Sequence, residues 1–131
     1  MKKFVFVASF LALVWAGDAA AQNAQYASAV HSEFKVASAA YKDGYYGVAM
    51  RRWLELARSS NGPAQYNIGL MHFYGQGVKK DPVEAYKWFL LSERNGVEKG
   101  RQAMDKLARF LSPLQISDAT RRARNFEKLS N

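Results

Sequence analysis

An all-α fold of about six short helices, stacked as antiparallel pairs behind an N-terminal signal peptide, is what this sequence predicts. Three observations predict it. Apolar residues recur with a helical period, and no segment sustains the alternation of a strand. All three prolines stand where a helix would begin, and Pro lacks the N–H that a first helical turn leaves unused. Glycines follow the helical runs at Gly62, Gly75 and Gly96, where a left-handed residue closes the last turn.

The first stretch stands apart from the domain. Met1-Lys2-Lys3 is a short basic start, FVFVASFLALVWA (4–16) is an apolar run, and Ala19-Ala20-Ala21 supplies small residues around a cleavage point. This is the layout of a secretory signal peptide, and the apolar run falls short of the roughly 20 residues of a membrane span. Cleavage is expected after Ala21, leaving 22–131 as one domain in the bacterial periplasm, with membrane contact only through the leader. Export permits disulfides, but the chain has no cysteine. The fold must hold by packing, and Cys-ligated zinc and thiol chemistry are excluded. Net charge is +8. Without Lys2, Lys3 and Asp18 the exported chain keeps 17 basic and 10 acidic residues, and from Arg94 onward nine Lys/Arg face four Asp/Glu. That balance steers anionic partners but is silent on fold.

The elements follow in order. Tyr26, Val30, Phe34, Ala37 and Tyr41 form one stripe, predicting a helix over 26–43. Tyr46, Ala49, Trp53, Leu56 and Ala57 predict a second over 46–60. Asn61-Gly62-Pro63 opens a third over 63–74, with Ala64, Ile68, Met71 and His72 inward. Asp81-Pro82-Val83-Glu84 opens a fourth over 82–95: Asp81 caps the first turn and Glu84 reaches back in a capping box. Ala85, Trp88, Phe89 and Ser92 form its stripe. Ala103, Met104, Leu107, Ala108 and Leu111 mark a fifth over 98–111. Ser112-Pro113-Leu114-Gln115 repeats the capping design and opens a sixth over 113–129, with Ile116, Ala119, Ala123 and Phe126 inward. Connections are short, so neighbours form antiparallel hairpins. No helix has a face wide enough to stand alone, and stacked pairs sharing a continuous core solve that problem.

Two segments resemble each other. Ala-Tyr-x-x-Gly at 40–44 precedes Ala49 and Trp53, while Gly75 and Gly77 precede Ala85, Trp88 and Phe89. The stretch AQYNIGLMHFYGQGVKKDPVEAYKWFLLSERNG (64–96) resembles the Sel1-like repeat, a branch of the tetratricopeptide-like helical solenoids. Ala64, Gly69, Gly75, Gly77, Val78, Asp81, Ala85, Trp88 and Gly96 carry the likeness. It departs at His72, where the family usually has Tyr, and at Ser92-Glu93, where two alanines usually meet the next repeat. The resemblance implies a short right-handed α-solenoid, with 33–60 a degenerate repeat, 61–96 a full one and 97–131 a C-terminal helix pair.

The pair Gly75/Gly77 is no phosphate cradle. It lacks the third glycine of a dinucleotide fingerprint and the Gly-Lys-Ser/Thr of a P-loop, and it follows a helix instead of a strand. It reads as a backbone hinge. Catalytic groups are sparse. His31 and His72 lie on different helices, no paired-carboxylate, nucleophile-elbow or His-x-x-x-His pattern appears, and zinc would lack ligands. His72 is expected as a hydrogen-bonded core residue. No enzyme, no cofactor and no nucleic-acid partner are expected.

What remains is surface. By the resemblance, the first helix of each pair lines a concave groove: His31, Phe34, Ser38 and Tyr41 from the first, Tyr66, Leu70 and Phe73 from the second, and Lys99, Gln102, Lys106 and Arg109 from the third. Tyr66, Leu70 and Phe73 fall at i, i+4 and i+7, a second apolar face which either packs inside the protein or meets a partner. The expected function is a non-catalytic adaptor or scaffold of the cell envelope that binds a protein or peptide, an acidic one being favoured. Alternatives are an anionic-polymer binder using Arg121, Arg122, Arg124 and Lys128, and an envelope hydrolase or its inhibitor, for which no nucleophile–base pair is present.

Overall fold

The computed structural model describes residues 5–130, with side chains from Asp18 onward. Of the leader expected over 1–21, residues 1–4 and the side chains up to residue 17 lie outside what is described. The described chain is all-helical, with six helices and no strand: α1 (Val5–Lys42), α2 (Tyr46–Arg58), α3 (Gly62–Tyr74), α4 (Pro82–Arg94), α5 (Glu98–Ala108) and α6 (Pro113–Ser130). From Phe34 onward they form a short helical solenoid. The helix expected from residue 26 begins earlier, at Val5. The chain divides into two compact units, Met1–Glu33 and Phe34–Asn131. In the first, the described side chains are exposed apart from a half-buried Val30. Tyr26, expected on the inward stripe, is 62% exposed.

The second unit is built by caps and close approaches. Asn61 Oδ1 accepts from the Ala64 amide at 2.9 Å, and Asp81 Oδ1 accepts from Val83 and Glu84 at 3.0 Å. The capping box expected at Asp81/Glu84 is half formed. The Asp81 amide donates instead to the His72 carbonyl at 2.9 Å, which frees Glu84 for other partners. The box at Ser112/Gln115 is complete: the Ser112 amide donates to Gln115 Oε1 at 2.9 Å, and the Gln115 amide to Ser112 Oγ at 3.2 Å. Gly75 closes α3 in the left-handed region at φ 71°, and Gly77 repeats that conformation at 69°. The hinge reading of 75–81 therefore holds. Gly62 does not serve as expected. Ser60 takes the left-handed position (φ 59°), and Gly62 is the buried first residue of α3, where a Cβ would lie 2.7 Å from Val97 Cγ2.

The buried stripes of α2, α3 and α4 follow the periodicity, with Ala49, Trp53, Leu56, Ala57, Ala64, Ile68, Met71, Ala85, Trp88, Phe89 and Leu91 in the core. α3 packs on α4, and α4 on both α5 and α6. Ser92, a departure from the repeat pattern, is fully buried at that junction. Its hydroxyl donates to the Gly62 carbonyl at 3.0 Å, and Gly100 of α5 leaves it room, since a Cβ there would sit 2.8 Å from Ser92 Oγ. α6 docks on α4 through Trp88 and Phe126, ring centroids 4.9 Å apart and edge to face. Lys87, also buried, holds its ammonium 4.3 Å from the Trp88 ring and 5.7 Å from Phe126.

Candidate functional site

α3 and α5 face each other across α4, and between them runs a groove of about 450 Å3. α3 supplies Tyr66, Leu70, Phe73 and Tyr74, α4 supplies Phe89, and Lys99, Gln102, Ala103, Lys106, Leu107 and Phe110 come from α5 and the residues just after it. Its size falls within the roughly 300–1,000 Å3 of ligand sites. The apolar wall exists because α3 is apolar on two faces: Ile68 and Met71 are buried, while Tyr66, Leu70 and Phe73 stay half-buried. Phe89 reaches the floor beside Gly69 and stacks against Tyr66 at 5.7 Å. The groove is unplugged, because α6 contributes none of its lining.

The structure brings together Tyr66, Leu70, Phe73, Lys99, Gln102 and Lys106 of the expected groove residues. It leaves out five: His31, Phe34, Ser38, Tyr41 and Arg109. Phe34 packs 6.3 Å from the Trp53 ring. Tyr41 lies 5.5 Å from Trp53 and 5.3 Å from Tyr46, and its hydroxyl donates to Gln76 Oε1 at 2.6 Å. Phe34 thus helps build the first helix pair, and Tyr41 borders a smaller depression of about 180 Å3 with Ser38, Asn67 and Leu70. Arg109 caps α5 at its exposed end, away from the groove lining. His31 is exposed. Tyr74, Phe89, Leu107 and Phe110 were not expected at the site. The α5 members could have been found, since 99, 102/103, 106 and 110 form one helical stripe. Phe89 could not, because its floor position depends on the missing Cβ of Gly69.

Charge is segregated on α5. Arg101 bonds both Glu98 and Asp105, the latter at 3.1 Å, so that face engages its own charges and keeps one negative charge in excess. Its hydrogen bonds hold the Glu98 carboxyl below 4.5. Lys99 and Lys106 line the groove with no ion-pair partner among the described residues. Lys80 stands 5.9 Å from the Phe73 ring centroid. The other basic region is different: Arg121 pairs with Asp118, and Arg122 with Asp118 at 2.7 Å and Glu84 at 3.1 Å. Glu84 also binds Lys87. Burial pushes the Glu84 carboxyl up, but Lys87 and Arg122 outweigh it and hold it below 4.5.

His72 departs from its expected role. It is half-buried, and its Nδ1 is buried with no hydrogen-bond partner among the described residues. Burial first, and Lys87 second, lower its pKa below 6.5, against opposing pulls from Glu84 and Asp81. Among the described residues no three His, Asp or Glu side chains gather as a metal site, and no helix is long and apolar enough to cross a membrane.

No curated protein matches the chain. The family model of the Sel1 repeat matches residues 62–97, which are α3, the Gly75/Gly77 hinge, α4 and the turn into α5. Residues 62–97 are therefore similar to a Sel1 repeat, and they form one wall and the floor of the groove.

Proposed function

We propose that this protein is a non-catalytic interaction module of the bacterial cell envelope, and that the α3/α5 groove receives a segment of a partner protein with apolar anchors and flanking carboxylates. Sel1 repeats generally mediate protein–protein interaction, which supports the coarse reading. The observation that carries the finer one is the pairing of an open aromatic wall with two unpartnered ammoniums, Lys99 and Lys106. Aromatic anchors concentrate binding energy, and rim charge accelerates encounter more than it strengthens the complex. The reading as an anionic-polymer binder draws less support, since Arg121 and Arg122 are engaged by Asp118 and Glu84. Placement in the envelope follows from the basic, apolar and small-residue start of the sequence; a mature chain beginning at Gln22 is its expected mark.

The test is kinetic. A panel of peptides carrying Leu and Phe anchors flanked by Asp/Glu or by Lys is flowed over the immobilised protein. Tyr66→Ala and Phe73→Ala should speed dissociation. Lys106→Glu should slow association, with an effect that fades as salt rises. Equal binding by wild type and the Tyr66→Ala/Phe73→Ala double variant discards the groove.

A further inference from the structure

We infer that the segment received by the groove is an amphipathic acidic helix of another protein, with carboxylates at i and i+7 and large apolar residues at i+3 and i+4. This rests on the interaction reading above and adds the partner's conformation and register. Lys99 and Lys106 are seven residues apart on α5 and both line the groove, which separates them by about 10.5 Å along the helix axis. Gln102 and Ala103 lie between them on the same face, above Phe89 and Leu107. The lining thus reads charge, apolar floor, charge. Arg101 draws the neighbouring carboxylates Glu98 and Asp105 to itself, so neither ammonium is compensated within α5.

A helix laid along α5 shares its rise and presents i and i+7 on one face at the same interval, with i+3 and i+4 between them. An extended segment cannot do this. At about 3.3 Å per residue it covers that distance in three residues, and side chains at i and i+3 point to opposite faces. It would satisfy one ammonium only. A second copy of this chain is also a poor occupant. Of its own Asp/Glu residues only Glu98 and Asp105 have the seven-residue spacing, and Arg101 already bridges them.

The experiment uses the full chain and a fluorescent, hydrocarbon-stapled helical peptide with Glu at i and i+7 and Leu at i+3 and i+4, read by anisotropy. Controls move the second Glu to i+5 or replace the staple by two prolines. The register peptide should bind about two- to fivefold more tightly than the shifted one, the worth of one exposed ion pair, and more tightly again than the proline peptide. Lys99→Gln plus Lys106→Gln should erase the difference between register and shifted peptides while leaving far-UV circular dichroism unchanged. Equal affinity for register and shifted or proline peptides, or no binding of the register peptide, overturns the inference. In the case of equal affinities, the groove reading survives if Tyr66→Ala still weakens binding and falls if Tyr66→Ala/Phe73→Ala has no effect. Concentration-dependent dimerisation abolished by Lys106→Gln would make a second copy the occupant and would equally overturn it.

Discussion

Gly69→Ala sets two well-known effects against each other. Gly69 is buried in the middle of α3, and a Cβ there would stand 2.6 Å from both Cδ1 and Cε1 of Phe89. Helix propensity alone favours alanine over glycine by about 0.8–1.0 kcal/mol. Forcing a methyl group into a packed interface typically costs about 1–3 kcal/mol, and here the obstacle is a ring that is 2% exposed. Packing should win, with a net loss of about 0–2 kcal/mol. For a unit of this size that lowers Tm by about 4–8 °C per kcal/mol. The assay is urea unfolding followed by circular dichroism, for wild type, Gly69→Ala, Phe89→Leu and the double variant. The double variant should recover stability relative to the sum of the single ones, because the shorter side chain clears the methyl. Since Phe89 also lines the groove, Gly69→Ala should alter peptide affinity as well. A Gly69→Ala protein about 1 kcal/mol more stable than wild type would show that the ring yields freely, and that the glycine is not needed for the approach of α3 to α4.

Other substitutions probe separate joints. Asp81→Ala removes the acceptor for two first-turn amides of α4 and should cost about 0.5–2 kcal/mol in chemical unfolding. Phe126→Ala strips the α6 ring from Trp88 and should destabilise the domain by about 2 kcal/mol, yet leave peptide binding intact, because α6 lines no part of the groove. Glu84 has its folded pKa held below 4.5, so its contribution is present above that value and lost as pH falls beneath it; Glu84→Gln should flatten the stability profile there. His72 has a folded pKa below 6.5, so the native state resists its protonation and stability declines as pH drops below 6.5; His72→Gln should remove that decline, measured as Tm against pH.

The helix boundaries were legible because caps and prolines are local devices. Asn61, Asp81 and Ser112 each hold an amide within the next three residues, and nothing distant is needed to make them work. Stripes on α2 to α4 were legible for the same reason. Long-range facts were less so. Glu84 could have closed a capping box, but Arg122, thirty-eight residues on, competes for its carboxylate. Phe34 and Tyr41 sit at groove-like positions of the repeat, yet Trp53 draws both into the first helix pair. Ser92 looked like a flaw in the contact between repeats. It fits because Gly100 omits a side chain opposite it and Gly62 offers a carbonyl. Such a match between positions eight and thirty residues away has no periodic signature.

α4 explains why the groove stays available. It carries aromatic side chains in two directions: Phe89 goes toward Tyr66 and the groove floor, while Trp88 goes toward Phe126 of α6. Adjacent residues on a helix point about 100° apart, and Trp88 and Phe89 use that angle to serve different neighbours, which sets α6 and the groove on different sides of α4. The electrostatics follow the same division. On the α6 side Lys87, Arg122 and Arg121 are bound by Glu84 and Asp118, and one of these pairs, Arg122–Glu84, ties the last helix to α4. On the groove side Lys99 and Lys106 keep theirs. Raising salt should therefore weaken a groove-bound acidic partner first, because exposed charges are screened within about 8 Å at physiological ionic strength while half-buried pairs are screened much less. Loss of the partner at a salt concentration that leaves the far-UV spectrum and Tm unchanged is what this division requires. Simultaneous loss of binding and of α6 docking would show that the two sides of α4 are not independent.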